Sequence, residues 1–269
     1  MDLGLRGSTA VVVGGANGIG WAIARGFAAE GARIGLLDLD MGVGDKAAQL
    51  AREHGVQAAG IACDVTSMAS VSAAGGEAVR AVGRVDHVVH AAAIGSGKFG
   101  FPFLNLKPED WRRVLDVNIQ GAVHVAHAFA PAMIEACRGT FLFLASVAGQ
   151  IGSQTDPPYS ASKAAIINFA QCLAKDLAPH GVRVNSLNPG MVKTALNRSV
   201  WQAWNESQPE DRKRSYEEWA GDKVRQVVPL GRWQDPEEIA DMAVFLASER
   251  ARSITGQSIN VDGGYVMHW

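Results

Sequence analysis

Cysteine is scarce in this chain: Cys63, Cys137 and Cys172 are odd in number, far apart and set in apolar stretches. That excludes a disulfide framework and a thiolate metal site, and leads us to expect a reducing, cytoplasmic setting. Charge of one sign is lacking too. Lysine plus arginine number 25 against 27 aspartate plus glutamate, for a net charge of -2, and like charges form no blocks. Nucleic acid and anionic membrane surfaces are therefore not expected as partners. No uncharged apolar run is long enough to span a bilayer, and the start MDLGLRGSTAVVVGG lacks the basic and apolar regions of a signal peptide. No metal site is expected either. His124 and His127 stand three apart in AVHVAHAFAP, but no third ligand lies at metal spacing, so packing or interface roles are expected for them.

What is present is a chain 48% hydrophobic with 30 glycines, most of them at the ends of short β-branched runs. The runs 9–13, 34–37, 56–62, 85–90, 140–144 and 182–187 are continuous rather than alternating, as strands buried on both faces require, and 257–261 adds a closing strand. Helix-period segments lie between them, at about 18–30, 45–54, 68–82, 108–137, 158–178 and 236–246. Strand and helix alternate without a linker or an internal repeat, which predicts a single α/β domain over 1–269, doubly wound about a parallel sheet of about seven strands. One segment interrupts the alternation. Residues 195–228 are charged and carry Trp201, Trp204 and Trp219, which fits either a helical excursion packed on the body or a lid over a substrate.

Gly14, Gly18 and Gly20 stand in VVVGGANGIG, directly after the first strand and at the start of a helix. Such a turn lets backbone N–H groups approach a pyrophosphate, and the helix N-terminus adds positive dipole. Asp38 closes the second strand 18 residues past Gly20, where a carboxylate can grip an adenosine ribose. Facing a 2′-phosphate it would repel, and positions 16, 17, 39 and 40 carry no cation to offset this. NAD is therefore expected rather than NADP. Tyr159 and Lys163 share one helix face at i, i+4 spacing after Pro157 and Pro158, so an ammonium can lower the phenol's pKa and let it exchange a proton with an alcohol. Ser146 ends a buried strand in FLFLASVAG, where doubly wound sheets place their chemistry. Asn118 lies mid-helix in RVLDVNIQG, an unfavourable place for asparagine that calls for a reason.

Taken together, these residues resemble the short-chain dehydrogenase/reductase superfamily over almost the whole chain. The likeness lies in the glycine motif, the Asp64-Val65 pair, the set Asn118, Ser146, Tyr159 and Lys163, the segment Asn188-Pro189-Gly190-Met191-Val192-Lys193-Thr194 and the ending ITGQSINVDGG. The resemblance implies a Rossmann-type sheet of order 3-2-1-4-5-6-7. It implies Tyr159 as the acid/base, Lys163 as its partner on the nicotinamide ribose, Ser146 positioning the reacting oxygen and Asn118 supporting a water-linked relay. Dinucleotide contacts are implied at Gly14, Asn17, Gly18, Ile19, Gly20, Asp38, Asp64, Val65, His90, Ala91, Ala92, Tyr159, Lys163, Pro189, Gly190, Val192 and Thr194. The chain departs from the family in having Val13 where threonine is usual, and His90-Ala91-Ala92-Ala93 where Asn-Asn-Ala-Gly is usual. Both departures are expected to loosen the cofactor's adenosine half.

The expected activity is hydride transfer between NAD and a secondary alcohol of polyol, sugar or hydroxyketone type. Aromatic stacking on the substrate is expected from the three tryptophans or from Phe99, Phe101 and Phe103. A 3-oxoacyl thioester reductase and a non-catalytic dinucleotide-binding regulator are the alternatives. A methyltransferase would leave Tyr159 and Lys163 unexplained. Homo-oligomers, tetramer or dimer, are common among relatives, and the apolar end YVMHW invites burial.

Overall fold

A computed structural model describes residues 2–267. The strands are β1 (Thr9–Val13), β2 (Arg33–Asp38), β3 (Ala58–Ala62), β4 (His87–His90), β5 (Gly139–Leu144), β6 (Val182–Pro189) and β7 (Ser258–Val261). They form one parallel sheet in the order β3-β2-β1-β4-β5-β6-β7. The helices are α1 (Gly18–Ala29), α2 (Val43–His54), α3 (Met68–Val82), α4 (Glu109–Leu115), α5 (Gly121–Glu135), α6 (Pro157–Leu177), α7 (Ala195–Glu206), α8 (Tyr216–Val227) and α9 (Pro236–Ala247).

The continuous apolar strands have a simple use. Along β1, Ala10 and Val12 enter the core beneath α1, α2 and α9, while Val11 and Val13 enter the core beneath α3, α5 and α6. β5 divides in the same way, Leu142 and Leu144 to the first core, Phe141 and Phe143 to the second. A polar residue in either register would be buried, and each such valine or leucine contributes about 1.5–3 kcal/mol by leaving water. Strand order reverses between β1 and β4, so the loops after these strands part and leave a crevice at their C-terminal ends.

The sequence predicts one helix over 108–137, and here the structure differs. Between α4 and α5 the chain makes a π turn, Asp116–Gln120, in which the Gly121 N–H donates to the Asp116 carbonyl five residues back. The 195–228 segment forms α7 and α8 with a short turn, Glu210–Arg212, between them. Among the described residues no helix is long and apolar enough to cross a membrane, and no three His, Cys, Asp or Glu side chains gather as a metal site. The apolar C-terminal end falls partly outside the described residues, at 268 and 269.

Candidate active site

The crevice holds a cleft of about 500 Å³, within the range that takes small molecules and cofactors. One end is the glycine-rich turn. Gly14 has φ +79°, and a Cβ there would lie 2.5 Å from the Ala92 amide nitrogen, so β1 and the loop after β4 approach as only glycine permits. Gly20 packs directly on the Gly14 carbonyl, whereas a Cβ at Gly18 would meet nothing nearer than the Thr194 methyl at 3.8 Å. The backbone at Gly18 is thus open to the cleft at the start of α1, as a pyrophosphate requires.

Asp38 is drawn into this turn. Its carboxylate accepts from the Ala16 N–H at 2.9 Å and the Asp40 N–H at 3.0 Å, while the Asn17 amide donates to Asp40 at 3.1 Å. Asp64 accepts from the backbone and the hydroxyl of Thr66, and those bonds hold its carboxyl below the usual range. The next residue is held from behind. Because the Val65 carbonyl can only accept, His124 donates to it through Nδ1 at 2.8 Å and receives the Gln120 amide at Nε2.

At the other end, α6 presents Tyr159 and Lys163 to the cleft and β5 delivers Ser146. Burial pushes the Tyr159 phenol up to about 12; the Ser146 hydroxyl pulls against this and the charge of Asp156 adds to it. Lys163 is pushed down to about 7 by burial. Its Nζ donates to the Leu144 carbonyl at 2.6 Å and lies 5.4 Å from the centre of the Tyr159 ring. The expected depression of the phenol by the ammonium is therefore not what sets Tyr159 here. The ammonium stands over the ring face with its bond spent on backbone, and desolvation dominates both groups.

Of the residues expected in catalysis or dinucleotide contact, all but two line the cleft: Gly14, Asn17, Gly18, Ile19, Gly20, Asp38, Asp64, Val65, Ala91, Ala92, Ser146, Tyr159, Lys163, Pro189, Gly190, Val192 and Thr194. Asn118 and His90 lie behind its wall. Asn118, on the π turn, accepts from the Ile94 N–H at 2.8 Å, and its amide donates to the Ile94 carbonyl and to Ser162 Oγ. It thereby clamps the loop after β4 onto α6, which supplies the reason for a mid-helix asparagine. His90 is paired in register with Val13, so the two departures from the family pattern are cross-strand neighbours. Neither ring nitrogen of His90 has a partner, and burial drops its pKa to about 3.

The aromatic expectations need correction. None of Trp201, Trp204, Trp219, Phe99, Phe101 and Phe103 lines the cleft. Trp204 packs on Trp219 with ring centres 6.2 Å apart, and Trp201 meets Tyr216 edge-on at 5.7 Å and donates to the Arg214 carbonyl. The tryptophans bind α7 to α8, because burying their area against each other outweighs facing a wet crevice. An adjoining face of α7, with Leu196, Asn197, Val200 and Ala203, lines the cleft instead. Sequence reasoning also passed over Asp156, which lines the cleft three residues before Tyr159. Its only signal was a carboxylate directly ahead of two prolines at a helix start.

A parallel sheet whose strand order reverses above a glycine turn, with a tyrosine, a lysine and a serine at the far end, defines a dinucleotide-binding oxidoreductase. Residues 14–266 match the family described as enoyl-(acyl carrier protein) reductase. The chain is 36% identical to D-threitol dehydrogenase of Mycolicibacterium smegmatis over 267 residues, covering 99% of this chain and 95% of that one. It is 31% identical to human (3R)-3-hydroxyacyl-CoA dehydrogenase over 272 residues, 98% and 97% of the two chains. L-sorbose reductase from Gluconobacter frateurii, solved with NADPH and L-sorbose, superposes with a TM-score of 0.90 at 30% identity over the full length of both chains. The protein belongs to the short-chain dehydrogenase/reductase superfamily, whose members bind a nicotinamide dinucleotide.

Proposed function

We propose that the protein is an NAD-dependent dehydrogenase that interconverts a secondary alcohol of polyol, sugar or hydroxyketone type with its ketone. It works as a single cytoplasmic domain assembled into dimers or tetramers. The observation that carries the reading is the cleft itself, which joins the glycine turn and Asp38 at one end to Ser146, Tyr159 and Lys163 at the other. The open backbone at Gly18 and the anchored Asp38 carboxylate suit a pyrophosphate and a ribose diol, so a dinucleotide fits the residues present. When bound, it supplies or accepts the hydride.

The chain's own residues do the rest. Ser146 donates to the reacting oxygen and orients it. Tyr159 gives that oxygen a proton in reduction and takes it back in oxidation, and its raised pKa keeps the proton in place at neutral pH, ready for the reductive direction. Lys163, anchored on Leu144, stands beside the phenol to offset negative charge when the proton leaves. Asn118 holds the loop after β4 in place, and α7 closes the substrate end.

NAD is favoured over NADP because Asp38 cannot swing away. Two backbone N–H groups fix it where a 2′-phosphate would sit, and no cation stands at positions 16, 17, 39 or 40. The test is a panel of polyols, hydroxyketones and 3-hydroxyacyl thioesters assayed with NAD and separately with NADP. A kcat/KM at least ~10-fold higher with NAD is expected for wild type, and Asp38→Ala should narrow the ratio. A preference for NADP, or a ratio untouched by Asp38→Ala, rejects the cofactor assignment; turnover of thioesters alone rejects the substrate class.

A further inference from the structure

We propose that Asp156 is the specificity-determining residue of the cleft, its carboxylate accepting a hydrogen bond from a hydroxyl on the carbon next to the reacting one. The protein then takes vicinal diols, polyols and the matching hydroxyketones, and turns away substrates that present only acceptors or negative charge at that carbon. This rests on reading the cleft as the hydride-transfer site built around Tyr159.

The placement is set by the start of α6. Asp156 is the N-cap and Tyr159 is the third helical residue, so carboxylate and phenol share one turn at the substrate end. An aspartate at an N-cap is ordinarily used up by the helix's first N–H groups. Here the first two helical residues are Pro157 and Pro158, which have none. The carboxylate is left with the Tyr159 N–H at a long 3.4 Å, the Ser96 N–H at 2.8 Å and the Ser96 hydroxyl. Two ionised oxygens offer about four acceptor sites, so acceptor capacity remains. No cation pairs with Asp156 among the described residues, although it is only 8% exposed. Lys98, two residues past Ser96 on the cleft wall, is taken up by both oxygens of Asp110.

A carboxylate in this state has room for a further donor, and burial pushes its pKa up. A substrate hydroxyl supplies such a donor, while a thioester carbonyl or a carboxylate brings further lone pairs against it. Asn197 on α7 complements it. Its Oδ1 is occupied by the Tyr216 hydroxyl at 3.2 Å, which leaves its amide N–H groups to meet an oxygen of the same polyol.

The experiment compares kcat/KM, with the better dinucleotide, for butane-2,3-diol, 3-methoxybutan-2-ol and butan-2-ol. All three share the reacting carbinol, and only the diol carries a donor next to it. Wild type should favour the diol by about 10- to 100-fold over both others, the span of a hydrogen bond to a charged acceptor. In Asp156→Asn, and in Asp156→Ser, which keeps a capping oxygen, the preference should collapse towards unity, chiefly through KM for the diol. Thermal melting verifies that the variants fold. A wild type that treats the methyl ether as well as the diol overturns the proposal without any variant, as does an unchanged ratio in a folded variant; both leave hydride transfer standing. Absence of turnover of all three with either dinucleotide overturns the functional reading, and this proposal with it.

Discussion

The phenol of Tyr159 and the ammonium of Lys163 are each pushed towards the neutral form by the same buried surroundings. That has opposite consequences for chemistry and for stability. Tyr159→Phe keeps the ring packing and deletes the proton, so turnover should fall by roughly 10²- to 10⁴-fold while dinucleotide binding, followed by quenching of tryptophan fluorescence, is kept. Near-normal turnover in the folded variant removes Tyr159 from the reaction. Lys163 carries a cost. Its pKa is about 7 folded against 10.5 in the open chain, so its contribution to stability is fully present only above pH 10.5 and is lost as pH falls to 7. Lys163→Met should abolish activity yet raise Tm at pH 6. The gain is on the order of 3 kcal/mol, reduced by the donor lost to Leu144, or several degrees for a chain of this size. The gain should shrink steadily towards pH 10, and a Tm difference independent of pH contradicts the assignment of the buried charge.

Elements differ in how openly the sequence declared them. The strands were legible because only burial on both faces explains runs such as TAVVV and FLFL, and the glycine turn was legible from its place between β1 and α1. The π turn was not. Its signal is a single asparagine out of place, and its cause lies in bonds to Ile94 and Ser162, 24 and 44 residues away in sequence. Asn118→Ala should therefore act on two elements at once, freeing both polar groups of Ile94 and removing the donor to Ser162 Oγ, which keeps only its own bond to the Tyr159 carbonyl, at a cost of about 2–4 kcal/mol in urea unfolding. A loss below about 1 kcal/mol means that water replaces the clamp. The tryptophans of 195–228 were visible, but which way they face is a tertiary outcome, settled by their mutual packing. If α7 and α8 move together as a lid, their amides should exchange quickly in the free protein and slow when dinucleotide and alcohol are both bound. Trp219→Ala, which removes a buried ring from that pair, should speed exchange across both helices. Exchange equally slow with and without ligands, or a change confined to α8, identifies the segment as fixed structure.

At the scale of the whole molecule, the sheet that aligns the cleft also buries two histidines on its central strand. His87 bonds to Thr140 at 2.9 Å and stacks on Phe27, while His90 packs against Phe143 with Lys163 nearby. Desolvation drops their pKa values to about 4 and about 3, against 6.5 for the open chain. Such groups contribute stability that is complete above pH 6.5 and is lost as pH falls through the folded values, because the unfolded chain takes up the protons first. Across pH 4–6 each histidine should add up to about 1.4 kcal/mol per pH unit to the slope of unfolding free energy. The hydrogen-bonded carboxylates add to that slope as well, but equally in a variant that leaves them alone. His90→Asn is such a variant. It replaces a fully buried ring whose two nitrogens have no partner by the residue usual in the family, beside Val13. Its unfolding free energy, from urea titrations at pH 4.5, 5.25 and 6, should fall less steeply with acid than that of wild type, by close to one proton's worth. Its stability at pH 7.5 should be lower, since the asparagine amide meets the same apolar Val13 and the smaller side chain leaves space in a buried site. Parallel slopes for the two proteins contradict the burial of a neutral His90.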